Sequence, residues 1–345
     1  MLFVPLQSMQ NWEDLRTLIN TPQKVVITTH QNPDADALGS SLGWGLYLQK
    51  KGHQFTVVSP TDYPDNLSWL PHCTDVVVFN EKSRQQCTDL MANADAIFCL
   101  DFNALQRINE LGEMVRSAPG TKVMIDHHLF PEDFADISIS DTRAAATAQL
   151  IVEIIERMGD TLLIDKPIAE SLYAGIMTDT GSFRHPSTTK DAHLAVVKLM
   201  EAGLEPNPVH RRIFDNAPLN RLRLLGHVLS QNMVHLPEYN TIYMTISEAE
   251  LKRFDSKYGD TEGIVNYGLQ VQKVALAVLM IEREREIKLS FRSVESFSAR
   301  DVASTHFDGG GHKNASGGRT KLTLQQTVEK LISVLPHYQA ALTNL

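Results

Sequence analysis

Four apolar segments of this 345-residue chain end in residues that bind hard cations. "VVITTHQNPDADALGS" carries His30, Asp34 and Asp36, and "AIFCLDFN" ends in Asp101. "VMIDHHLF" ends in Asp126, His127 and His128, and "LYAGIMTDTGSF" closes on Asp179. Each has an ordinary explanation when taken singly. Asp34 could cap a helix, Asp101 could be turn chemistry, and Asp179 could close a helix against Gly181. Their recurrence at the ends of apolar segments points instead to one shared edge, because parallel strands place their C-terminal ends together. Four aspartates crowded there repel unless cations are present, and two divalent ions would balance them. Carboxylate and imidazole donors without thiolate suit manganese, and less specifically magnesium, iron or zinc. Such a pair of ions, about 3.5–4 Å apart, serves phosphoester hydrolysis.

A second group of candidates lies late in the chain. "FDGGGHKNASGG" (307–318) sets glycines Gly309, Gly310 and Gly311 before His312 and Lys313. Glycine lets backbone N–H groups approach an anion closely. The spacing is not that of a P-loop, and the competing reading is a plain flexible loop. Arg292, at the end of "KLSFRS", could add a bidentate phosphate contact.

The elements that must position these residues follow two rhythms. Strand candidates at 24–30, 54–60, 75–79, 96–101 and 122–128 alternate with helical stretches at 36–51, 83–93 and 104–117, which implies a parallel sheet. Helical segments follow in "AATAQLIVEIIERMG", "PIAESLYAGIMTDTG" and "DAHLAVVKLMEAG", and then a connector in "LNRLRLLGHVLSQNMV". The pattern restarts near Asn240 with a strand whose end opens "SEAELKRF" in capping-box spacing. Strands at 274–282 and 286–293, a helix at 298–306, the glycine-rich loop and a helix at 323–343 complete it. The expected fold class is α/β: an N-terminal parallel-sheet domain with helices on both faces (1–205), a linker helix (206–236) and a smaller C-terminal α/β domain (237–345).

Composition excludes several classes. The chain is 43% hydrophobic and 21% charged, an ordinary globular balance. No apolar run approaches the roughly 20 residues that span a bilayer, and "MLFVPLQSMQNWEDL" lacks the pattern of a signal peptide. Three cysteines without C-x-x-C spacing argue against a disulfide framework and fit a cytoplasmic setting. A net charge of -9 and 7% aromatics disfavour a long nucleic-acid channel.

The order His-x-x-x-Asp-x-Asp, a later strand-end Asp, Asp-His-His, a further Asp and a C-terminal Gly-Gly-Gly-His resembles the DHH phosphoesterase superfamily. The C-terminal half resembles the DHH-associated domain. Two compact domains without extra modules look most like the bacterial nanoRNase/pAp-phosphatase group, over essentially the whole chain from Lys24 onward. The resemblance implies that His30 and Asp34 bind one metal, that Asp36, His127 and Asp179 bind the other, and that Asp101 bridges them. Asp126 then holds a ligand in place, and His128 faces the scissile phosphate as hydrogen-bond donor or general acid. Arg292, Gly310, Gly311 and His312 match the family's recognition loop for the substrate's other phosphate or terminal nucleotide; outside that set, Arg184 and Asn266 could line the cleft. The implied cofactors are two divalent ions, Mn2+ before Mg2+. The implied partners are short oligonucleotides and small phosphorylated nucleotides, with no membrane and with a homodimer left open. Implied activities are hydrolysis of nanoRNA to mononucleotides and of 3′-phosphoadenosine-5′-phosphate to AMP. The alternatives are a linear pApA or cyclic di-AMP phosphodiesterase, a RecJ-like exonuclease, a family II pyrophosphatase and a non-catalytic nucleotide-binding protein.

Overall fold

The computed structural model describes residues 6–257, 259–294 and 297–344, and divides into two units between Asn216 and Ala217. In the first, α1 (Leu6–Ile19) leads into β1 (Lys24–Thr28), α2 (Ala35–Lys50), β2 (Gln54–Ser59), β3 (Val77–Val78), α3 (Arg84–Ala92), β4 (Ala96–Leu100) and α4 (Leu111–Ser117). Then come β5 (Thr121–Asp126), β6 (Ile137–Ser140), α5 (Thr147–Arg157), α6 (Lys166–Asp179), α7 (Lys190–Glu201) and α8 (Pro206–Phe214). The strands form one sheet in the order β3-β2-β1-β4-β5-β6, and every pairing is parallel. The order reverses between β1 and β4, which is where open α/β sheets place their ligands. His30 follows one of those strands and Asp101 the other.

The strand residues sort by a period of two. Val25, Ile27, Phe98 and Ile125 join a core with α2, α5 and α6, whereas Val26, Ile97 and Cys99 pack with Cys87, Met91 and Val115 of α3 and α4. Both faces are therefore covered, as a parallel sheet requires. Cys73, Cys87 and Cys99 are buried and unpaired with one another. Among the described residues no helix is long and apolar enough to cross a membrane.

Helices α2 and α6 form the most extensive helix pair, and they carry ligand candidates at opposite ends: Asp34 and Asp36 begin α2, and Asp179 ends α6. Their approach depends on glycine. A Cβ on Gly39 would lie 2.3 Å from the carbonyl oxygen of Ser171. Gly39→Ala is expected to destabilise the protein by about 1–3 kcal/mol through overpacking. Gly226→Ala, where an added Cβ would meet nothing within 4 Å, is expected to be neutral or slightly stabilising. Thermal melts of the two variants check this, and equal melting points would contradict it.

The second unit comprises α9 (Leu219–His227), β7 (Met233–Leu236), β8 (Thr241–Ile246), α10 (Glu248–Arg253), β9 (Leu276–Glu282), β10 (Ile287–Ser293) and α11 (Ala299–His306). After these come β11 (Gly310–His312), β12 (Ala315–Thr320), α12 (Leu324–Val334) and α13 (Gln339–Thr343). Its sheet runs β11-β12-β10-β9-β8-β7, with β8 and β9 parallel and the other neighbours antiparallel. The capping box is present, with Ser247 and Glu250 bonding reciprocally at the start of α10.

Several expectations change in detail. The stretch 206–236 is not one linker helix: Pro218 separates α8 from α9, and Met233–Leu236 pairs with β8 as a strand. Residues 75–79 keep only Val77–Val78 as an edge strand, because a tight helical turn occupies Cys73–Asp75. The span 104–117 divides into a 3-10 turn at Leu105–Ile108 and α4. The glycine-rich stretch is the β11–β12 hairpin rather than a loop.

Candidate metal centre

The loops at the C-terminal ends of β1, β4 and β5 and the end of α6 bring together all six of the expected ligand side chains. Asp34 does two things at once. Its Oδ1 accepts from the backbone N–H groups of Asp36 and Ala37 at 2.9 and 3.0 Å, which caps α2, while its Oδ2 lies 3.9 Å from His30 Nε2. The capping reading holds, and the cap leaves Oδ2 directed toward the candidate ligands. Asp101 follows β4 directly, with φ +64°, a left-handed conformation that asparagine and aspartate tolerate best. Its backbone N–H donates to Ile125 O of β5 at 3.1 Å, so the neighbouring strand holds the turn.

Asp101 is the hub. Its Oδ2 lies 3.3 Å from His30 Nε2, and its Oδ1 lies 3.4 Å from His127 Nε2. His127 Nε2 is also 3.4 Å from Asp179 Oδ2 and 3.9 Å from Asp36 Oδ2. Among the described residues, donor atoms within 4.8 Å of one another occur in three sets: His30, Asp34 and Asp101; Asp36, His127 and Asp179; and Asp101, His127 and His128. The first two sets group the same residues as the division that the family resemblance implies. Both histidines are held as ligands usually are. His30 Nδ1–H donates to Gln31 O at 2.8 Å and His127 Nδ1–H to Ala144 O at 3.3 Å, so each Nε2 faces the carboxylates.

The electrostatics of the cluster follow from its burial and its crowded carboxylates. Burial, and next the charge of Asp101, raises the Asp36 carboxyl well above its ordinary value; burial and then Asp36 do the same to Asp179. Burial also opposes charge on Asp101, but hydrogen bonds from His127 and His30 outweigh it and hold this carboxyl well below the usual range. Burial disfavours a charged His30 ring, yet the bond to Asp101 and the nearby carboxylates push its pKa up to about 9. His127 moves the same way for the same reasons. Protons are thus drawn in to offset the carboxylates, a place that divalent ions would take. Five donors of carboxylate or imidazole type around a shared Asp101, with no thiolate, fit a pair of hard or borderline ions.

Asp126, fully buried, grips His128 rather than a member of those two sets. Its Oδ1 accepts the His128 Nδ1–H at 2.7 Å and its Oδ2 the His128 backbone N–H at 3.1 Å. The ring is fixed in one tautomer and orientation.

In the second unit, sheet register aligns the recognition candidates. Arg292 of β10 is opposite Ala315 of β12, which is opposite His312 of β11. Residues in one such row point to the same face. Arg292 is half-buried, donates from Nη1 to Phe291 O at 3.0 Å, and makes no ion pair among the described residues. Burial lowers its pKa, opposed by Glu262. Gly311 has φ +135°, and a Cβ there would lie 2.8 Å from Ala315 O; a Cβ on Gly310 would meet nothing within 4 Å. Gly311 is needed for the backbone, whereas Gly310 leaves open space.

Two further candidates are exposed. Arg184 is exposed on the loop after Asp179, where its Nε donates to Gly181 O at 2.8 Å. Asn266 is exposed in the 3-10 segment Ile264–Gln270 of the second unit. Two residues near the centre carry no motif signal. Arg107 lies close enough for its charge to act on His30, and its carbonyl accepts the Gln31 N–H at 2.8 Å. Thr147 donates from Oγ1 to Asp101 Oδ1 at 3.0 Å.

A family model described as the DHH family, N-terminal domain, matches residues 24–176, and a DHHA1 domain model matches residues 239–340. The bifunctional oligoribonuclease and PAP phosphatase NrnA of Thermus thermophilus is 29% identical over 329 residues, covering 94% of each chain. A crystal structure of an exopolyphosphatase-related protein from Bacteroides fragilis is 36% identical with a TM-score of 0.94, covering 99% of both chains. RecJ from Thermus thermophilus, crystallised in complex with Mn2+, shares the fold at 13% identity and a TM-score of 0.53, across 99% of this chain and 56% of that one.

Proposed function

Because the chain belongs to the DHH family, we propose that it is a di-metal phosphoesterase that hydrolyses short oligoribonucleotides to mononucleotides and 3′-phosphoadenosine-5′-phosphate to AMP. The observation that carries this reading is Asp101, whose two carboxylate oxygens face two separate donor sets. The activities follow those named for the Thermus thermophilus relative, which this chain matches over nearly its full length. The cytoplasm, where such substrates arise, is the proposed location.

His30 and Asp34 would hold one ion and Asp36, His127 and Asp179 the other, with Asp101 shared between the two sets. Manganese suits this mixture of imidazole and carboxylate best. Such a pair supplies Lewis acidity and a water-derived nucleophile at neutral pH. The chain's own residues do the rest. Asp126 accepts the His128 Nδ1–H and orients the ring, so that Nε2 faces the reacting phosphate and can act there as a donor when both ring nitrogens carry protons. In that form the single Nε2–H serves as hydrogen-bond donor to the phosphate or, as the P–O bond breaks, passes its proton to the departing ester oxygen and leaves the neutral ring. Arg292 and His312, with the open backbone at Gly310, hold the substrate's second phosphate, Arg292 through a charge-assisted contact.

A turnover panel tests the proposal. With Mn2+ present, a 5′-phosphorylated dinucleotide and pAp are expected to be the fastest substrates, with at least about tenfold lower kcat/KM on a 20-mer, ~1.4 kcal/mol. Cyclic di-AMP, linear pApA, pyrophosphate and inorganic polyphosphate run alongside. Comparable rates on 2-mers and 20-mers would point to a RecJ-like nuclease, and turnover confined to pyrophosphate, polyphosphate or cyclic di-AMP would overturn the reading.

A further inference from the structure

Metal ligands need support, and one unremarkable stretch of sequence supplies it for three of them. We infer that the segment Ala144–Ala148 positions the metal ligands from three different elements, with Thr147 as its acting side chain; the inference rests on the di-metal reading above. Four polar groups of the segment meet three of the ligands. Ala144 O accepts the His127 Nδ1–H at 3.3 Å. The Thr147 and Ala148 N–H groups donate to Asp36 Oδ2 and Oδ1 at 2.7 and 2.9 Å. The Thr147 hydroxyl donates to Asp101 Oδ1 at 3.0 Å.

The arrangement also answers a local puzzle. Helix α5 begins after Ala146, which has no side chain to cap it. The first N–H groups of a helix need acceptors, and Asp36, on α2, provides both carboxylate oxygens. The helix start gains its cap, and the carboxylate gains a fixed orientation beside a favourable dipole. Small side chains are required for this closeness. Ala144, Ala145, Ala146 and Ala148 are all buried. A Cβ on Gly175 of α6 would lie 2.5 Å from Asp36 Oδ1 and 2.8 Å from the Ala148 Cβ. The segment is itself held, since the Gln149 side chain accepts the Ala145 N–H at 2.9 Å and donates to Glu153 at 2.8 Å. Thr147 is fully buried, and its hydroxyl donates to the carboxylate that faces both donor sets. It is a positioning residue, since it touches Asp101 and not the reacting phosphate.

Calorimetric titration of the full-length, metal-stripped protein with Mn2+ tests this, with kcat/KM as a second readout. Thr147→Val keeps the shape and removes the donor, and is expected to weaken Mn2+ binding by about 10–100-fold. Thr147→Ser keeps the donor and is expected to bind within about threefold of the unmodified protein. Thermal melts of the metal-free proteins establish that each is folded; where Thr147→Val is not, Thr147→Ala against Thr147→Ser gives the same comparison. Unchanged Mn2+ affinity in the folded variant lacking the hydroxyl, or equal loss in Thr147→Ser, would overturn the assignment. Absence of Mn2+ binding by the unmodified protein would instead defeat the di-metal reading, a separate outcome of the same titration.

Discussion

Replacing Asp101 with asparagine is expected to lower hydrolysis by at least about a thousandfold, roughly 4 kcal/mol in the barrier, without unfolding the protein. Asparagine keeps the volume, tolerates the left-handed backbone at φ +64°, and still offers an oxygen to the Thr147 hydroxyl. What it removes is the charge on the carboxylate that lies 3.3 and 3.4 Å from His30 and His127. An amide cannot serve two cations, so the two donor sets lose their common member. Steady-state rates on a dinucleotide, paired with a thermal melt, check the expectation. A folded Asp101→Asn variant with more than a tenth of the normal rate would remove Asp101 from the bridging role.

His128→Ala is the second large effect. General acid catalysis and oxyanion stabilisation by one positioned side chain contribute about 10²–10⁴ in rate. That loss is expected in kcat, with KM within about threefold, because the contact strengthens as charge develops. Asp126→Asn is expected to reproduce part of it, since the amide no longer enforces the tautomer that the 2.7 Å bond to His128 Nδ1 enforces. His312→Ala should behave oppositely and chiefly raise KM, because a residue holding a remote phosphate binds ground state and transition state alike. Equal kcat losses in His128→Ala and His312→Ala, with KM unmoved, would contradict this division.

The ligand candidates were legible in the sequence because each sits where an apolar segment stops. A strand or helix end is readable from hydrophobicity, and hard donors clustered there stand out. Strand order is not readable in that way. That β1 and β4 are neighbours, with His30 and Asp101 flanking the point where the order reverses, follows from pairings between residues about 70 positions apart. Strand β6, "ISIS", escaped because four residues with two serines give too little signal. The hairpin of β11 and β12 escaped because glycine has poor strand propensity, and its consequence, Arg292 and His312 in one row, needs the register. Thr147 was hidden for a different reason. Its neighbours are alanines, and three of the segment's four contacts to the ligands are made by backbone groups that carry no residue-type signature.

The central claim is a paired metal site, and the number of Mn2+ ions bound per chain tests it most directly. Metal-stripped protein titrated with Mn2+ is expected to take up close to two ions per chain, and hydrolysis of a dinucleotide should return as they bind. Uptake of one ion or none, or full hydrolysis after exhaustive chelation, would contradict it.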